Sequence, residues 1–205
     1  MLKKYVPIIK KYYHARGHNH NSYENNSLGF GFIHYSLIRN IRPKNILVVG
    51  SQRGFVPAIC ALACKHEKKG HVHFVDAGYS LKHPHSWGGI GVWKTVTSDY
   101  WEPLGIEDYI SLYCMTTEKF EKKIEGMNSI FEYIYIDGDH SYKGIKRDFN
   151  LFWKYLKGYM TFHDISINKL TDWGKCGVKK FWKEIAPKYK SINIPTDCGL
   201  GIIQK

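Results

Sequence analysis

The sequence has no long apolar run. Its opening stretch, MLKKYVPIIKKYYHARG, holds only a short hydrophobic patch broken by Pro7 and Lys10. Neither a signal peptide nor a membrane span is expected there, and a cytoplasmic location is the default expectation. Patterned cysteine is missing as well. Cys60, Cys64, Cys114, Cys176 and Cys198 are odd in number and carry no zinc-finger spacing, which argues for reduced, packed thiols over a disulfide framework or a metal knot. There is no internal repeat and no low-complexity linker, so nothing divides the 205 residues, 43% of them hydrophobic, into more than one core. Residues 1–205 are read as a single domain. Acidic residues are also scarce: 18 Asp and Glu face 30 Lys and Arg, a net charge of +12. The excess falls in dispersed pairs such as Lys3-Lys4, Lys68-Lys69, Lys122-Lys123 and Lys179-Lys180, not in one arm or stripe. A solvated basic surface is expected, with nucleic-acid binding kept as an alternative.

Against these absences stands one dense stretch, Tyr133 to Ile165, YIYIDGDHSYKGIKRDFNLFWKYLKGYMTFHDI. Tyr133 to Ile136 reads as a buried strand that delivers Asp137, Asp139 and His140 at its carboxyl end. Tyr142, Ile145, Phe149, Phe152, Trp153 and Leu156 then recur at helical spacing with lysines between them, and Gly158 is expected to stop that helix. Tyr159 to Phe162 is a second strand, ending in His163-Asp164. A strand, a crossover helix and a second strand form a right-handed unit, so Asp137 and His163-Asp164 should emerge at one edge of a parallel sheet.

Upstream, Asn45 to Val49 runs into Gly50-Ser51-Gln52-Arg53-Gly54, and Pro57, Ile59, Leu62 and Ala63 follow with helical spacing: a strand, a glycine turn and a helix whose free N–H groups suit a ligand. Cys60 and Cys64, one helical turn apart, belong to its packing. His71 to Val75 alternates as a strand and delivers Asp76 where an acid can take both hydroxyls of a ribose; an ordinary turn before Gly78 is the competing reading. Ala77 to Asp108 is long, rich in glycine and aromatics (Gly78, Gly88, Gly89, Gly91, His83, His85, Trp87, Trp93, Trp101), and is expected to shape a substrate side, unless its aromatics are core packing. Tyr109 to Cys114 resumes as a strand before Met115-Thr116-Thr117 and a short helix carrying Phe120 and Ile124. At the N-terminus, residues 1–30 read as a peripheral arm, with a short helix through Tyr5, Ile8, Ile9, Tyr12 and Tyr13. His14, His18 and His20 fall in its loop, read as a loop or lid in preference to a metal site. Phe32 to Asn40 is a helix ending near Pro43; Val178, Phe181, Trp182 and Ile185 mark another; Ser191–Ile194 and Leu200–Gln204 are the last strands.

The segment IDGDHSY…RD…W…L…FHD resembles class I S-adenosylmethionine-dependent methyltransferases, in the branch of macrocin-type sugar O-methyltransferases and cephalosporin-hydroxylase-like proteins. The resemblance spans about residues 40–205. It implies an α/β, Rossmann-like fold: a seven-stranded, mostly parallel sheet with an antiparallel C-terminal strand and helices on both faces. It implies S-adenosylmethionine as cofactor, held by Gly50, Ser51, Gln52, Gly54, Asp76, Met115, Thr116, Thr117 and Asp137, and a small-molecule partner, sugar-containing or anionic, methylated on oxygen. Two departures stand out: Val48 where the family often has an acid, and two glycines, Gly50 and Gly54, where it often has three. For catalysis two versions stay open. In one, Asp137, His163 and Asp164 hold Mg²⁺ or another divalent cation that acidifies the acceptor hydroxyl, although His163 suits magnesium poorly. In the other, His140 or His163 is a general base. Rival readings are a metal-dependent phosphoester hydrolase, and a non-catalytic or nucleic-acid-binding protein on the same scaffold. The oligomeric state is not addressed by the sequence.

Overall fold

The computed structural model describes residues 2–13, 28–87, 89–127, 130–168, 170–171 and 174–205. His14, His18, His20 and Gly88 lie outside the described residues. In chain order the elements are α1 (Val6–Tyr12), α2 (Phe30–Ile41), β1 (Asn45–Val49), α3 (Phe55–Glu67), β2 (His71–Asp76), β3 (Ile110–Cys114), α4 (Thr117–Ile124), β4 (Phe131–Ile136), α5 (Tyr142–Trp153), β5 (Leu156–His163), a two-strand ribbon β6 (Leu170–Thr171) and β7 (Gly174–Lys175), α6 (Val178–Ile185), β8 (Lys190–Ile194) and β9 (Leu200–Gln204).

One sheet of seven strands runs in the order β3-β2-β1-β4-β5-β9-β8. The pairs β3-β2, β2-β1, β1-β4 and β4-β5 are parallel, while β9 is antiparallel to both of its neighbours. This is the expected fold class. Continuous apolar runs make the central strands: β1 is buried from Ile46 to Val49 and β4 from Tyr133 to Ile136, as strands covered on both faces must be. On one face Ile9, Ile38, Ile59, Cys60 and Cys64 pack with Phe74, Trp93 and Trp101. On the other, Phe120, Ile145, Phe152, Phe181 and Trp182 pack with Ile134 and Phe162. Val48, the residue standing where an acid is often found, is a fully buried member of the first face. The N-terminal helix forms as expected and buries Val6 and Ile9, with Tyr13 stacked on Trp101 at 5.6 Å between ring centroids.

Two boundaries differ from expectation. The crossover helix ends at Trp153, and Leu156 already belongs to β5, paired with Phe131. Gly158 therefore lies inside β5 and does not stop the helix. Phe131 pairs with Leu156 but Tyr133 with Tyr159, so two residues of β5 oppose Glu132 alone, a bulge. A Cβ at Gly158 would overlap the Glu132 carbonyl, which explains why glycine is found there. Trp93 and Trp101, from the long segment after β2, are core residues at 2% and 3% exposure; only part of that segment faces the carboxyl edge of the sheet.

Candidate active site

The carboxyl ends of β1, β2, β3 and β4 bound a cavity of about 300 Å³. Its lining includes Gly50, Ser51 and Gln52 after β1, Asp76 at the end of β2, Met115, Thr116 and Thr117 after β3, and Asp137 after β4. These are eight of the residues singled out from the sequence. Gly54 is not among the lining residues: it starts α3 in the left-handed region, and a Cβ there would meet Trp93 and Trp101. The loop between them is held from outside. Trp93 Nε1 donates to the Gln52 carbonyl at 3.1 Å, the Tyr100 hydroxyl donates to the Arg53 carbonyl at 3.0 Å, and Ser51 Oγ accepts from Val56 N. Gly50 adopts φ +67°, and a Cβ there would overlap the Asp137 carbonyl, so the β1 and β4 loops touch backbone to backbone.

Asp76 accepts from Gly78 N at 2.8 Å. Burial pushes its carboxyl up to about 6, against the hydrogen bonds of Gly78 and Ser51. Farther along, Asp148 of α5 is 1% exposed. One of its oxygens accepts from Thr117 Oγ1 at 2.8 Å and from Arg147 Nε at 3.1 Å, and burial pushes it, too, up to about 6. Arg147 and Asp148 were visible in the sequence only as part of the family pattern; the signal that gives them a place, a shared wall with Thr117, is purely spatial.

Beside the cavity, and sharing Asp137 with it, lies a compact ionic cluster. β4 and β5 are in register at Ile136 and Phe162, which brings Asp137 and His163-Asp164 to adjacent strand ends. His140 Nε2 is 3.0 Å from Asp137 Oδ1, and its Nδ1 is 2.7 Å from Asp164 Oδ2. His163 Nδ1 is 3.0 Å from Asp137 Oδ1 and 3.1 Å from Asp164 Oδ1, while its Nε2 lies 3.0 Å from the Cys198 thiol. The buried Tyr135 hydroxyl donates to Asp137 Oδ2 at 3.0 Å, and the Cys176 thiol lies within 4.8 Å of His140 and Asp164 ligand atoms. Burial opposes charge on both imidazoles, but Asp164 and Asp137 outweigh it and hold His140 and His163 well above the usual imidazole range. Conversely, burial would raise Asp164, yet the charges of His163 and His140 bring it down to about 2. Asp164 also sits in the left-handed region at φ 62°, a strained backbone for a non-glycine residue.

Neither His163 nor Asp164, 2% and 4% exposed, lines the cavity; His140 stays at its back, covered by Trp87, whose ring stacks on it at 5.5 Å. The cap of α5 is Ser141, whose Oγ accepts from Gly144 N, so His140 is not a helix cap. As a cation site the cluster offers two sets, His140, Asp164 and Cys176, or His163, Asp164 and Cys198, each one nitrogen, one oxygen and one sulfur. Magnesium asks for near-octahedral oxygen. These donors do not fit it. The thiols of Cys176 and Cys198 were assigned to packing from sequence, because nothing in their spacing shows that distant loops bring them onto two histidines.

Among solved structures, an O-methyltransferase from Bacillus cereus in complex with SAH superposes with a TM-score of 0.63 at 16% identity, covering 99% of this chain and 90% of that one. The O-methyltransferase from Streptomyces achromogenes involved in tomaymycin synthesis, in complex with SAM, gives 0.61 at 13% identity, covering 87% and 80%. An SAH-bound methyltransferase from Podospora anserina gives 0.63 at 18%, covering 86% and 78%. Curated protein sequences give no significant match. Residues 47–165 match the family described as methyltransferase domain, a span that begins in β1, ends just after Asp164 and takes in the whole ionic cluster except its two thiols. With more than half of its length matched and the sheet order in agreement, the chain belongs to the methyltransferase domain family.

Proposed function

We propose that this protein transfers a methyl group from S-adenosylmethionine to a hydroxyl oxygen of a small molecule, with a sugar-bearing acceptor the class favoured by the macrocin-type resemblance. The observation that carries this reading is the order of residues along one cavity: Met115–Thr117, then Asp76, then Gly50–Gln52, then Asp137. The fit is chemical at each point. Gly50 leaves a cradle that a Cβ would fill, Asp76 offers a carboxylate to a vicinal diol, and the Met115–Thr117 turn gives a partly apolar wall for a purine. The solved structures with SAM or SAH bound share this fold and support the choice of cofactor.

When bound, the cofactor supplies an electrophilic methyl group on a positively charged sulfur. The protein's share is to align the acceptor oxygen behind that carbon, keep water away and take the hydroxyl proton. Asp137 is the member of the ionic cluster that faces the cavity, and its carboxylate takes the proton. His140 and His163 already direct ring nitrogens at carboxylates and hold Asp137 in place. Trp87 and Tyr79 wall the acceptor side.

Calorimetry with S-adenosylhomocysteine tests the reading. Binding in the micromolar range is expected. No binding, with NADH taken up instead, overturns it, and phosphoester hydrolysis without S-adenosylhomocysteine binding favours the hydrolase alternative. With an acceptor in hand, Asp137→Asn should lower kcat by about 100-fold or more, the scale of a lost general base.

A further inference from the structure

Two carboxylates at neighbouring strand ends repel strongly in a nearly dry site unless something positive lies between them. Asp137 and Asp164 are such a pair, at 12% and 6% side-chain exposure. What lies between them is a side chain of the protein. His140 presents Nε2 to Asp137 at 3.0 Å and Nδ1 to Asp164 at 2.7 Å. A neutral imidazole has one lone pair in its plane, which here would point at a carboxylate oxygen, so a ring bonded to a carboxylate through each nitrogen carries both protons. His163 brings a second ring to the same two acids, its Nδ1 3.0 Å from Asp137 and 3.1 Å from Asp164, while its other nitrogen meets the Cys198 thiol.

His140 is built in. Its carbonyl accepts from Gly177 N at 2.7 Å, at the start of α6; Ser141 beside it caps α5; and the Trp87 ring covers it at 5.5 Å with an interplanar angle of 18°. We infer that the imidazolium of His140 occupies the place a divalent cation would take between Asp137 and Asp164, so that the native site works without metal, and that removing the ring uncovers a latent cation site. The inference rests on four side chains, and the cofactor assignment does not enter it.

The test compares wild type, His140→Ala and His140→Gln, the last keeping bulk and polarity without the charge. Wild type should contain no stoichiometric metal by mass spectrometry, and its thermal midpoint should respond neither to EDTA nor to millimolar Mn²⁺. His140→Ala should be less stable and should recover in proportion to added Mn²⁺, binding it at least ten-fold more tightly than wild type by calorimetry. Adding Asp164→Asn to that variant should remove the response. If His140→Ala does not fold, His140→Gln carries the same expectation. A stoichiometric metal in wild type, or a wild-type midpoint that falls with EDTA, overturns the inference; so does a folded variant that gains no Mn²⁺ response. No arm uses S-adenosylhomocysteine, so loss of this inference leaves the methyltransferase reading standing, and the reverse also holds.

Discussion

Asp76 carries the sharpest prediction at the level of single residues. It was legible in the sequence because an acid at the end of a second strand has few roles, and the structure puts it in the cavity wall with one oxygen on Gly78 N. Asp76→Ala should weaken S-adenosylhomocysteine binding by about 1.5–3 kcal/mol, the worth of hydrogen bonds to a charged acceptor, as read by calorimetry. Its carboxyl, pushed up to about 6 by burial, adds a pH dependence. A diol donates best to the ionised form, so affinity should rise as pH passes upward through about 6 and level off near 7; a flat profile between pH 5 and 7.5 would contradict the role. The roles of Cys176, Cys198, Trp87 and Asp148 were not legible. Each depends on which loops end up adjacent, and a thiol that bonds an imidazole has the same one-letter neighbourhood as a thiol that merely packs. Asp137, His140, His163 and Asp164 could be read as a group, because register between two parallel strands follows from a short crossover, but which nitrogen meets which oxygen could not.

Elements were read better than their ends. Apolar runs and helical spacing located β1 to β5, α2 to α6 and the final two strands to within a few residues, because burial on both faces of a parallel sheet leaves a strong imprint on sequence. The failure at Gly158 is informative: glycine after an amphipathic run looks like a helix stop, while here it is a bulge in β5 where the strand passes close to Glu132. Gly158→Ala should therefore cost roughly 2–3 kcal/mol, seen as a lower urea midpoint with unchanged slope. A second close approach lies on the neighbouring strand, β9. The Trp182 ring of α6 lies against β9 at Gly201, where a Cβ would come within 2.8 Å of it, and its Nε1 donates to Asn193 of β8 at 2.6 Å. Gly201→Val should lift α6 off the sheet and cost about 1–3 kcal/mol, in the range of other overpacked cores. Because Gly177, the residue just before α6, donates to the His140 carbonyl, this substitution should also disturb the cluster. Gly158→Ala, at the opposite end of β5, should not.

For the molecule as a whole, stability should fall as pH rises from about 4 to 7. Asp76 and Asp148, raised to about 6 in the folded chain, hold their protons while the unfolded chain releases them from about 4 upward. Each therefore withdraws up to about 3 kcal/mol across that interval. The cluster sets the outer limits of the window. The contribution of Asp164, held at about 2, is present above the unfolded value near 4 and is lost as pH drops through 2. That of His140 and His163, raised in the folded state, is complete below about 6.5 and is lost as pH climbs through their folded values. Thermal scans without ligand should peak near pH 4–5, and S-adenosylhomocysteine should restore most at neutral pH. The net charge of +12, dispersed over the surface, should give only weak binding to duplex DNA that disappears steeply with salt. One contact makes the cluster visible from outside. Trp87 lies flat on His140, 5.5 Å away, and also lines the cavity. A protonated imidazole against an indole drains its excited state, so Trp87 should be nearly dark in the native protein. Its emission, isolated by comparison with Trp87→Phe, should brighten when the ring loses its proton, and shift in colour when the cavity fills.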